Sequence, residues 1–69
     1  MIYNVRWILE GDSEEYRSAD HASAGDAIAF ACTVLDRMMV RDIRVMDMSG
    51  QQIMTMPEIV RHYRASKQH

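Results

Sequence analysis

Sixty-nine residues and 8.0 kDa leave room for one domain, residues 1–69, with a core of modest size, since a chain this short buries roughly 60% of the surface its unfolded form exposes. Hydrophobic residues make up 48% of the chain and charged residues 26%, an ordinary globular composition that argues against disorder. The formal net charge of −2 gives no whole-chain electrostatic argument for a nucleic acid or a membrane surface.

Residues 2–9 alternate, with Tyr3, Val5, Trp7 and Leu9 on one face and Ile2, Asn4, Arg6 and Ile8 on the other. Period two with aromatic and β-branched residues predicts a strand. Glu10-Gly11-Asp12-Ser13 is a turn by composition. Glu14–Ala19 comes next as a weaker, polar strand at an edge, where charges discourage unwanted pairing. Ser23-Ala24-Gly25-Asp26 opens a helix, with a serine cap and an acid three residues later at the positive end of the dipole. That helix should run to about Met39. Ala24, Ile28, Ala31, Cys32, Leu35 and Met39 form its apolar face, widened by Ala27, Phe30, Val34 and Met38. The arc exceeds the ~100° that a surface helix needs, so the helix should pack on a sheet and also touch a second body.

Arg41–Met48 alternates again, and Met48-Ser49-Gly50 fits a three-residue hairpin loop with Gly50 left-handed. Gln51–Met56 is the return strand. This register places Ile43, Val45, Ile53 and Thr55 on one face and Arg44, Met46, Met48, Gln52, Met54 and Met56 on the other; a slip of one residue would exchange the faces of the return strand. Thr55, Pro57 and Glu58 then start a short helix that frays near Ser66. The order is ββαββα, an α+β domain with a small antiparallel or mixed four-stranded sheet packed on one long helix.

An Ile2-Tyr3-Asn4-Val5 strand, an Asp26-Ala27-Ile28 helix start and a Val45-x-Asp47-x-Ser49-Gly50 hairpin together resemble the small ββαββ domains of unknown function common in bacterial genomes. The resemblance spans roughly residues 2–56 and implies a fold; it carries no catalytic residue.

Cys32 is the single cysteine and cannot form an internal disulfide, which fits a reducing compartment, the cytoplasm. The N-terminal residues lack the pattern of a secretory signal. The longest apolar run, Ala27–Cys32, is far shorter than the roughly 20 residues of a membrane span.

The methionines are the most unusual feature. Met46, Met48, Met54 and Met56 would share one hairpin face with Arg44. Methionine adapts to partner surfaces, yet the last helix could equally cover this face and make it core. The first functional reading is a small soluble protein-interaction module that forms a homodimer. Its interface candidates are Phe30, Val34, Met38, Met46, Met48, Met54 and Met56. The alternative is a nucleic-acid-binding accessory protein. Charge supports it only regionally: residues 1–20 carry −3, residues 21–36 carry −2 and residues 37–69 carry +3. Arg37, Arg41, Arg44, Arg61, Arg64 and Lys67 would supply the contacts, but Arg41–Met48 lacks the aromatic and glycine signature of RNA-recognition strands. His21, His62 and His69 match no metal-site spacing. No metal or other cofactor is expected. Gly11, Gly25 and Gly50 are isolated and form no phosphate loop, and Asp20 with His21 is the one acid–base sketch available. The chain reads as a non-enzyme.

Overall fold

A computed structural model describes residues 1–67. The chain order is β1 (Tyr3–Leu9), β2 (Glu15–Arg17), α1 (Ala24–Arg37), β3 (Val40–Asp47), β4 (Gln52–Met54) and α2 (Met56–Ser66). The four strands form one antiparallel sheet in the order β2-β1-β3-β4. This is the expected ββαββα arrangement, and the two central strands are the first strand of each hairpin.

Local chemistry explains where each element begins and ends. The first turn uses Gly11 at φ 78°, and the Asp12 carboxylate accepts from the Glu14 N–H at 3.1 Å. β2 is shorter than the expected Glu14–Ala19. After Arg17 the Ser18 hydroxyl accepts from the Val5 N–H at 2.9 Å, where a strand carbonyl would stand. Pairing resumes at His21, which exchanges two main-chain hydrogen bonds with Tyr3. α1 is capped by the Ser23 hydroxyl, which accepts from the Asp26 N–H at 3.1 Å. It ends at Arg37, two residues before the expected Met39, because Met38 is extended. In α2 the Glu58 carboxylate accepts from both the N–H and the hydroxyl of Thr55.

The core lies between one face of the sheet and the two helices. Val5, Ile43, Val45 and Met54 from the strands meet Ala27, Ala31, Val34 and Ile59 from the helices. Alanine at 27 and 31 lets α1 approach the sheet closely. The deepest line of α1 is therefore Ala27, Ala31 and Val34, while Ile28, Cys32 and Leu35 are half-buried and Met39 is 80% exposed. The expected central face of this helix is thus rotated toward its flank.

The register of the second hairpin differs from the one expected. The Met48–Gly50 loop forms, with Gly50 at φ 86° and a Gly50 N–H to Asp47 carbonyl bond. One step further, β3 and β4 are out of step: Val45 faces Met54 but Met46 faces Gln52, so a bulge intervenes. Met54 therefore turns into the core at 9% exposure, and Ile53, expected inside, is 39% exposed. A bulge exchanges the faces of everything after it.

Candidate functional site

The bulge dissolves the methionine stripe. Met54 is core and Met56 packs against it from the start of α2. Met46 lies on the opposite face of the sheet, nearly closed to solvent beside Asn4. Met48 is exposed in the hairpin loop. Among the α1 candidates, Val34 is buried, Phe30 is half-buried and Met38 is 45% exposed. The seven interface candidates thus do not form one surface. Phe30 stands on the flank of α1 that meets Trp7, and Met38 is the extended residue just past the helix.

That flank is where the helix layer stops. α1 packs on β1 and β3, and α2 packs beside it on β3. β2 lies at the rim, and aromatic side chains occupy the place a third helix would take. The Trp7 ring stacks on Tyr16 with centroids 5.9 Å apart and tilts against Phe30 at 5.8 Å. Phe30 in turn meets the His21 ring at 5.2 Å. All four are half-buried. Leu9 follows Trp7 on the same side of β1, and the Glu10 N–H bonds to the Met39 carbonyl at 2.9 Å, which ties the chain just past α1 to the end of β1. Aromatic pairs prefer such offset and tilted arrangements to a face-to-face sandwich. Tyr16 is anchored as well: its hydroxyl donates to the Asp12 carboxylate at 3.1 Å. This bond raises the Tyr16 pKa. The Asp12 carboxyl is lowered, first by the Glu14 N–H and then by Tyr16.

Tyr16 and His21 are absent from the interface candidates that the sequence suggests. A signal for Tyr16 exists: a hairpin centred between Gly11 and Asp12 must set Trp7 opposite Tyr16, as it does. The polar composition of the strand hides it. His21 stands just before the Ser23 cap and pairs with Tyr3 through a single bridge, which no periodicity announces.

Among the described residues, the opposite face of the sheet carries no helix. Arg17, Arg6 and Arg44 stand in a row across β2, β1 and β3. Like charges directly opposite are unfavourable, and carboxylates intervene. Glu15 reaches Arg44 at 3.2 Å and Arg6 at 3.7 Å, Asp42 holds Arg44 at 3.2 Å, and Asp20 holds Arg17 at 3.2 Å. Three arginines meet three acids, which suits a solvated face.

The basic candidates for nucleic-acid contact are dispersed by the fold. Arg44 belongs to this balanced face. Arg41 donates to the Asp12 carbonyl at 3.3 Å, and Arg37 is exposed in the last turn of α1. Lys67 leaves α2 to hold Asp36 of α1 at 2.7 Å, over the Tyr63 ring. Tyr63 donates to the same carboxylate at 2.8 Å. Lys67 is raised by Asp36 first and Tyr63 second, and Asp36 is lowered by Lys67 first and Tyr63 second. Arg61 and Arg64 sit on the far flank of α2.

Cys32 lies half-buried on α1 in the shallow groove between the helices, and burial pushes its thiol up. A raised thiol is a poor nucleophile. His69 lies outside the described residues. Among the described residues, no three His, Cys, Asp or Glu side chains come together as a metal site, and no helix is long and apolar enough to cross a membrane. No family model, curated protein or solved structure matches the chain.

Proposed function

We propose that the chain is a protein-interaction module that pairs with a second copy of itself through the helix-free flank of α1. The observation that carries this reading is the row Tyr16, Trp7 and Phe30, left at the rim of the helix layer, with the exposed Met38 and Met39 just past the end of α1. An apolar surface is complementary to its own copy, and a twofold axis brings the same patch from both subunits together. Aromatic residues and methionine are the residue types enriched in such contacts, whereas charge is depleted from their centres. No carboxylate, lysine or arginine takes part in the ring contacts, and the Asp12 carboxylate stands at their outer end on the Tyr16 hydroxyl. A standard interface takes roughly 800 Å² from each partner, about a sixth of the 4588 Å² surface of this chain. Added burial of that size suits a domain whose own core is small.

Molar mass by light scattering across a dilution series tests the reading. The expected result is a species of twice the 8.0 kDa chain mass that persists in high salt, because apolar burial does not weaken there. Met39→Glu, at an exposed position, should return it to the monomer without unfolding it. A monomer at every concentration, or a dimer that salt dissolves, would contradict the assignment.

A further inference from the structure

We propose that the groove between α2 and the unpaired part of β3 is a docking site for an extended acidic peptide. β3 runs over eight residues, but β4 pairs only with its Val45 and Met46. On the side away from β1, residues 40–44 therefore have no strand neighbour among the described residues. A strand edge of this kind presents unpaired main-chain donors and acceptors and can accept one more strand. α2 stands beside this edge. Between them lies an open groove of about 680 Å³, lined by Asp42, Met56, Pro57, Val60, Arg61 and Arg64.

The lining specifies the occupant. Met56, Pro57 and Val60 give an apolar floor for an aliphatic side chain. Arg61 and Arg64, three residues apart on α2, are exposed and form no ion pair among the described residues. Arginine binds carboxylates through paired donors. Asp42 is the one acid on the lining among the described residues, and Arg44 already holds it at 3.2 Å. The groove thus offers an incoming acidic strand two arginines without an ion pair among the described residues and disfavours a basic strand. Arg61 is only within reach of the field of Glu58, one turn earlier. A nucleic-acid strand would need stacking surfaces, and none of the described lining residues is aromatic. The acidic stretch of this chain does not fit as the occupant, since residues 10–15 are folded into the first turn and the start of β2, with Asp12 bonded to Glu14 and Tyr16. The peptide belongs to another protein. The groove lies on the β3 side of α1, away from the aromatic row at β2, so it is open in a monomer and in the proposed dimer alike.

The test uses two fluorescein-labelled heptapeptides, one alternating valine with glutamate and one alternating valine with lysine. Fluorescence anisotropy at low salt should show binding of the acidic peptide alone, weakening as salt is added. Amide shifts in ¹⁵N spectra of the complex with unlabelled peptide should fall on residues 41–44 and on α2. The double variant Arg61→Glu with Arg64→Glu should keep the circular dichroism of the parent and lose about tenfold or more in affinity, since attraction becomes repulsion at two exposed positions. Equal binding of both peptides, no binding up to about 1 mM, or shifts confined to Trp7, Tyr16 and Phe30 would overturn the proposal. Displacement of the acidic peptide by single-stranded oligonucleotide at low stoichiometry would overturn it in favour of nucleic acid.

Discussion

The two hairpins of this chain share their turn chemistry and part ways in their strands. Each turn has a glycine in the left-handed region, Gly11 at φ 78° and Gly50 at φ 86°, and each uses an aspartate as acceptor for the turn. Asp12 takes the Glu14 N–H, and Asp47 takes the N–H groups of Ser49 and Gln51 and the Ser49 hydroxyl. In the first hairpin β1 and β2 then pair residue for residue, and Trp7 meets Tyr16. In the second, a bulge beyond the turn shifts β4 by one residue and exchanges Ile53 for Met54 in the core. The turn residues dictate the loop, and the demand for a filled core decides the register. Met54 joins the core cluster with Val45 and Ile59, while Ile53 stays 39% exposed.

Alanine at the two exchanged positions breaks this comparison most sharply. Met54→Ala removes a core side chain and should cost about 2–4 kcal/mol. Ile53→Ala should cost less than about 1 kcal/mol, as at other exposed sites. Urea unfolding of the two variants checks the order. Equal losses would mean that the bulge does not persist in solution.

The glycines come next, and here the hairpins should agree. A β-carbon at either position would meet no atom within 4 Å, so the penalty is torsional alone. Gly11→Ala and Gly50→Ala should each cost about 1–2 kcal/mol, the usual cost of a left-handed non-glycine residue. Thermal denaturation measures both. A loss at one site much larger than at the other would mean that the turns are not equivalent.

Legibility in the sequence divides along the same line. The Gly50 loop, the Ser23 cap, the Pro57 helix start and the alternation of Tyr3, Val5, Trp7 and Leu9 each depend on neighbours a few residues away, and all four are readable from the chain alone. The features that escape such reading depend on distant residues. The face of Met54 is set by a bulge in the pairing of β3 with β4, which the alternation of β4 does not announce. The dispersal of Arg44 and Lys67 is set by strand order and by Asp42, Glu15 and Asp36, which the fold brings to their places. The aromatic row lies between these cases. Trp7 is legible as an anchor of the first strand, but its stacking on Tyr16 emerges only when the hairpin centre is applied as a pairing rule.

The smallest expected effects separate the hairpins by pH. Both turn carboxyls are held below the ordinary value near 4: Asp12 by the Glu14 N–H and Tyr16, Asp47 by the Ser49 hydroxyl and the Gln51 N–H. A carboxyl depressed in the folded state contributes stability that is fully present above its unfolded pKa and is lost as pH falls through the folded one. The melting temperature should therefore fall below about pH 4, and Asp47→Asn or Asp12→Asn should each flatten part of that fall while keeping an acceptor oxygen in the turn. The alkaline side distinguishes the two. Tyr16 is raised above its ordinary value because its hydroxyl donates to Asp12. That contribution is present below about pH 10 and disappears as pH rises through the folded value. Nothing in the second hairpin corresponds to it. Tyr16→Phe should therefore remove a decline above about pH 10 that Asp47→Asn leaves in place. Lys67, raised by Asp36 and Tyr63, adds its own alkaline decline in both variants, so the readout is the difference between the two curves. Parallel curves would mean that the Tyr16–Asp12 bond does not form in solution, and the aromatic row would then lose the tether that fixes its outer ring.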